Sequence, residues 1–218
     1  MRNPLQPFFD LRKRELPFAL SMFAYFFLVI ASFWILKPLK KSLFIRYYDR
    51  VGGFDFLIWT MRGSQAELLA KVLNMFVAAG AVAAFSMLSH RFRRQGMAFV
   101  VTLFFMACYV VYSIALRTPG PLVVWTFYLL GDLFSTLMVV TFFAFLNDSV
   151  STSRARRLYG PVGLGGVLGG VFGTTFLSTW IEAVPIARWM WVCFGIGVMI
   201  LVNASLAGRW LTMLPENG

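Results

Sequence analysis

Three lysines, Lys37, Lys40 and Lys41, close a long apolar run. On a helix their i, i+3, i+4 spacing places them on one face with Trp34 and Phe44. Three like charges there repel, and each costs about 2.5–3.5 kcal/mol at the centre of an inserted helix. The cluster is tolerable where it lines a watery cavity and meets an anion. Phosphate is the obvious anion, because ammonium groups bind it as point charges. The plainer alternative ends the helix at Leu36 and lets the lysines snorkel to lipid headgroups.

Asp132 lies near the middle of another apolar run, and Tyr128, Asp132, Ser135 and Thr136 form a polar stripe at helical periodicity. A lone carboxylate in hydrocarbon sheds its charge or finds a partner. One reading pairs Asp132 with a lysine of the first helix, where it moves a coupled proton or sets substrate charge. The other makes it a buried acid that glues helices.

Asn147, Asp148, Arg156, Arg157 and Tyr159 stand in a polar stretch after the fourth run. They read either as a gate network or as a plain basic loop. Gly165, Gly169 and Gly173 follow at i, i+4, i+8, and Gly166 pairs with Gly170 in a GxxxG spacing. Small residues let helix backbones approach closely in lipid. No Gly-Lys-Ser/Thr follows them, which rejects a phosphate-cradling P-loop. The segment Ser86 to Arg94 resembles a degraded major facilitator loop motif in which Arg91 and Arg94 match. Gly160-Pro-Val-Gly is similar to the Gly-Pro pattern on the fifth helix of facilitator antiporters.

The elements that must hold these residues follow from composition. The chain has 218 residues, of which 59% are hydrophobic and 13% charged; its mean hydropathy is +0.74. Soluble domains average about 45–50% apolar and about 25% charged. A soluble fold of this size cannot hide that much apolar surface, and a disordered chain lacks it. The natural solvent is a bilayer, and a soluble enzyme is excluded. The net charge of +11 sits mostly in loops between apolar runs, where it acts as a topology signal rather than a nucleic-acid surface. Cys108, Cys193 and a single histidine, His90, offer no metal-ligand spacing and no catalytic triad, so no metal or cofactor is expected.

Six runs approach the ~20 residues that cross a bilayer: Leu16–Leu36 (continuing as helix toward Phe44), Leu68–Ser89, Gly96–Leu116, Pro121–Leu146, Pro161–Ile181 and Ala187–Ala207. Pro121 and Pro161 suit a first helical turn. The first run is too long for a signal peptide and reads as a retained membrane helix. The expected organisation is an N-terminal arm (residues 1–15), a six-helix transmembrane domain (16–208) and a C-terminal tail (209–218). Arg2, Arg12, Lys13 and Arg14, then Arg91, Arg93 and Arg94, then Arg154, Arg156 and Arg157, then Arg209 fall on one side. The positive-inside rule makes that side, with both termini, cytoplasmic. The first connection resists: Lys37, Lys40, Lys41, Arg46, Arg50 and Arg62 lie on the other side.

Several stretches together resemble the N-terminal half of the ATP/ADP translocase family, the nucleotide transporters of plastids and bacteria. They are Ile35-Leu-Lys-Pro-Leu-Lys-Lys-Ser-Leu43, Gln65-Ala-Glu-Leu-Leu, Gly131-Asp132, Phe145-Leu-Asn-Asp148 and Arg154-Ala-Arg-Arg-Leu-Tyr159. The resemblance spans roughly Leu16 to Leu214 and about half of a family member. It implies an all-α, major facilitator-like half of six transmembrane helices in a 3+3 inverted repeat, working as an antiporter in a bacterial inner membrane. It implies nucleotide recognition by Lys37 and Lys40, with Lys41 adding charge. Asp132 takes the place of a helix-four glutamate, and Trp34 or Tyr128 is available to stack on a base. The chain departs from the family in having Lys41 where an acid is common, in the shorter Asp132, and in lacking the second half. A facilitator cavity lies between two halves, so a second six-helix half is expected, by homodimerisation, from a partner chain, or from the rest of a longer chain of which this is a piece. The rival readings are a non-transporting membrane subunit or scaffold of a larger complex, and a lipid-handling protein whose lysines grip headgroups.

Overall fold

The computed structural model describes residues 15–56, 59–89 and 94–212. The basic residues of the N-terminal arm, His90, Arg91, Arg93 and the tail from Leu214 lie outside the described residues, as does the side chain of Arg94.

Among the described residues, six helices are long and apolar enough to cross a membrane, and the chain is an integral membrane protein. They are α1 (Leu16–Arg50), α2 (Gly63–Ser89), α3 (Arg94–Ala115), α4 (Pro121–Ser149), α5 (Thr152–Trp180) and α6 (Ile186–Thr212). In hydrocarbon every backbone polar group must be satisfied within its own element, and a helix does this by itself. Pro121 opens α4 behind the extended Gly120, where its missing N–H has no partner to lose.

Three boundaries differ from expectation. Helix α1 continues through the lysines as expected, but beyond Phe44 to Arg50, 35 residues in all and about 52 Å at 1.5 Å per residue. That outruns the ~30 Å hydrocarbon core. Pro38 sits inside it, so Trp34 loses its i+4 backbone donor there while the helix continues. Helix α5 begins at Thr152, nine residues before Pro161. Its Arg- and Leu-containing first turns are good helix formers, and the proline costs only the bond to the Arg157 carbonyl. The connection expected from Asn147 to Gly160 thus shrinks to Val150 and Ser151. Helix α6 runs to Thr212 and takes Arg209 into its last turn, where a cation suits the helix dipole.

The first connection holds an antiparallel hairpin, β1 (Phe54–Phe56) and β2 (Trp59–Met61), with Asp55 opposite Thr60. Gly52 and Gly53 turn the chain into it at φ 90° and 121°, values that side chains rarely adopt. Asp49 Oδ1 then accepts the Gly63 N–H at 3.1 Å, satisfying one of the free donors that begin α2.

Helix α1 is the axis of the bundle. It packs along α5 most extensively, and on α6, α4 and α2; α3 packs on α6 and α4. The α1–α5 seam is the glycine ladder. A Cβ on Gly165 would meet Phe23 O at 2.6 Å and one on Gly173 would meet Ala31 O at 2.5 Å; Gly169 lies against Phe27 O in the same way. Matching i, i+4, i+8 rows on both helices let the backbones touch. Helix α2 stands apart: only 6% of its most apolar stretch is buried, against 33–56% in the others.

Candidate functional site

The lysines and acids meet where α1, α2 and α4 converge. Lys40 is 5% exposed, and its ammonium forms an ion pair with Asp132 of α4. The same ammonium lies 4.2 Å from the centre of the Tyr128 ring, a cation–π position. Asp132 lies 11 residues into α4, about 17 Å from its start. It is a quarter exposed, and its backbone carbonyl accepts the hydroxyls of Ser135 and Thr136. The polar stripe read from the sequence is therefore partly self-satisfied, with the carboxylate turned to α1.

Lys41 leaves the helix in another direction. Its ammonium is 3.6 Å from Glu67 Oε2 of α2. Lys71, one turn further along α2, reaches Glu67 Oε1 at 3.2 Å. Tyr128 Oη donates to the same Glu67 oxygen at 3.2 Å, tying the two carboxylate systems together. Lys37 is exposed and rests on aromatic faces, 5.2 Å from Phe33 and 5.1 Å from Trp34. Three ammonium groups thus meet two carboxylates, an excess of one positive charge, and Lys37 adds a further ammonium on the Trp34 side.

The expected single lysine face is in fact divided. Lys40 enters the bundle while Lys37 and Lys41 stay accessible, and Phe44 is buried where Trp34 is exposed. The two aromatics proposed for stacking also part company. Tyr128 is buried, with one face under Lys40 and its hydroxyl spent on Glu67, so it has no face for a base. Trp34 is 36% exposed and borders an open groove of about 530 Å³ with Gly166, Gly170 and Thr174 of α5. Gly166 and Gly170 border this groove while packing against the Phe26 and Trp34 rings of α1.

An aromatic lid covers the near end of the site. Phe44, Tyr48, Phe54, Trp125 and Tyr128 pack ring against ring, tilted or edge to face, at centroid distances of 5.0–5.4 Å. Trp125 Nε1 donates to Tyr48 Oη at 2.6 Å.

The residues assigned to a gate lie at the far end, and their arrangement differs from expectation. Arg157 grips Glu15 with two bonds, Nη2 to Oε1 at 2.7 Å and Nε to Oε2 at 3.3 Å. Arg154 Nε stands 3.9 Å from the same carboxylate. Glu15, just before α1, is thus the acid of this network. Asp148 is exposed and makes no ion pair among the described residues. Tyr159 Oη donates to Asn147 Oδ1, and Arg156 is exposed.

Three partners were missed in the sequence: Glu67, Lys71 and Glu15. A signal existed for the first two. Glu67 and Lys71 form an i, i+4 pair at the head of an apolar run, and an acid at that edge faces three lysines across one connection. Glu15 carried no such signal. Comparison with family models, with curated proteins and with solved structures returned no match to this chain.

Proposed function

We propose that the chain is one half of a secondary transporter for a phosphate-bearing anion, of the kind the ATP/ADP translocases exemplify. The observation that carries this reading is the Lys40–Asp132 pair between two spanning helices, flanked by Lys37, Lys41 and Lys71 with Glu67 as the one acid paired to them among the described residues. Ionisable groups at membrane depth are costly and mark solute or ion paths. An excess of ammonium groups selects anions, and an intramembrane carboxylate paired to one of them is suited to couple solute arrival to a charge or proton movement.

In this reading the six helices form a 3+3 inverted repeat with both termini cytoplasmic. The Trp34–Gly170 groove and the exposed lysines face the second half, a further copy or a partner chain. The excess positive charge of the first connection then has a task besides topology, which explains why it defies the positive-inside pattern.

Counterflow of labelled ADP or phosphate in liposomes tests the proposal. Exchange that requires Lys40, and is lost in Lys40→Ala, is the expected result. Exchange untouched by Lys40→Ala would sink it.

The lipid-handling alternative has one observation in its favour. An almost wholly apolar crevice of about 360 Å³ opens between α2, α3 and α4, lined by residues such as Ala84, Phe85, Val101 and Leu137. If phospholipid rather than phosphate anions raises the melting temperature of the solubilised protein, that reading takes precedence.

A further inference from the structure

The lysines around the site are not equivalent acceptors for an anion. Lys40 is sealed: its charge is matched by Asp132 and its ammonium is covered by Tyr128. Drawing it toward a solute leaves Asp132 without its partner. Lys41 and Lys71 are each 53% exposed, come from different helices, and share one carboxylate. Glu67 neutralises one of the two and leaves one charge over. Because it reaches Lys41 through Oε2 and Lys71 through Oε1, it also gathers the two ammonium groups about one carboxylate. That is a pre-set clamp for an anion with two charged groups.

A second observation lies on the same face of α2. Asn74, one turn beyond Lys71, has a buried Oδ1 with no hydrogen-bond partner among the described residues. The rest of the helix exposes apolar side chains, among them Leu68, Val72, Met75 and Phe76. Glu67, Lys71 and Asn74 are thus a single polar stripe at i, i+4, i+7. That oxygen can only accept, so it takes a donor such as an ammonium group and not the anion itself.

We propose that Lys71, held beside Lys41 by their shared carboxylate Glu67, binds the second anionic group of a polyanionic solute, and that Glu67 competes with that solute for both lysines. This rests on the anion-carrier reading above and assigns to Lys71 and Glu67 the choice of a di- or polyphosphate over a single phosphate.

The test is a thermal-shift titration of the full solubilised chain with inorganic pyrophosphate and with orthophosphate at constant ionic strength. The wild type is expected to bind pyrophosphate more tightly. Lys71→Met should weaken pyrophosphate by about tenfold or more, the scale of one charged hydrogen bond, and leave orthophosphate little changed. Lys71→Arg should keep the preference, and Glu67→Gln should tighten both anions. Lys71 is half exposed, so its variants test binding without emptying the core; their melting temperatures without anion should match wild type. A wild-type pyrophosphate shift that persists in full in Lys71→Met overturns the clamp and leaves the carrier reading standing. Absence of any anion-dependent shift in the wild type overturns both.

Discussion

The stem of Lys40 lies across the bare backbone of Gly131: a Cβ there would stand 2.7 Å from Lys40 Cδ. The residue beside Asp132 is therefore small so that a lysine from α1 can pass over it to the carboxylate. Gly131→Ala should push the lysine stem aside and loosen the ion pair. Overpacking of this kind costs about 1–3 kcal/mol. A lower melting temperature together with a lost anion response is expected; a variant that keeps both shows that the stem has another route.

Removing only one partner of the pair should be worse than removing both. Lys40→Ala leaves Asp132 facing α1 without its cation, and breaking a fully buried pair costs about 3–5 kcal/mol. With Asp132 a quarter exposed, the lower end of that range is expected. The double variant Lys40→Met with Asp132→Leu should regain most of the stability in chemical denaturation and none of the exchange. Equal loss in the single and double variants contradicts this account.

Trp34 and the lysines should separate in their effects on ligands. Trp34→Ala removes the open aromatic face and leaves the ammonium groups in place. Stacking on an aromatic is worth about 1–3 kcal/mol per base. ADP affinity should fall on that scale while pyrophosphate affinity holds. If the two fall together, the groove beside Gly170 takes no base.

The α1–α5 seam gives a purely structural prediction. Gly169→Val places atoms into the Phe27 backbone, which cannot move as a side chain does. A loss of about 1–3 kcal/mol follows from overpacking. Gly163→Ala is the control, because open space surrounds its Cβ position. The ratio of monomer to aggregate on heating in detergent reads both; similar behaviour of the two variants refutes the seam.

At the far end, Glu15 and Arg157 should behave as one unit. Arg157→Ala is expected to cost about 1.5–3 kcal/mol, the range for bonds between charged groups. Glu15→Gln should cost a similar amount, and the two should not add, since residues sharing a network couple. Asp148→Asn should change nothing. A strictly additive double variant would falsify the pairing.

Some of this was legible in the chain. Apolar runs of spanning length fixed the solvent and the six helices, because hydrocarbon leaves the backbone no other way to satisfy itself. Asp132 was marked by its isolation in an apolar run, which obliges it to find a partner. The starts of α1 and α4 were marked by the onset of an apolar run and a proline-led first turn. The start of α5 was not, because Pro161 is a helix-starting signal that also survives inside a helix when a single carbonyl goes unbonded.

What the residues alone could not decide is which charge meets which. Successive helical positions point about 100° apart, so Lys40 and Lys41 face different neighbours, and nothing local says which of them turns inward. That depends on the rotation of α1 against α4 and α2. The contact of Gly165, Gly169 and Gly173 with the α1 backbone at Phe23, Phe27 and Ala31, about two to five turns before the lysines, sets that rotation in part. The sequence thus determined that this is a membrane-spanning bundle with charges in need of partners. Only the packed helices decided that Lys40 goes to Asp132, Lys41 to Glu67 and Arg157 to Glu15, because each of these pairs joins segments whose relative phase and depth no single helix carries; Lys71 meets Glu67 within α2, at the i, i+4 spacing the sequence already shows.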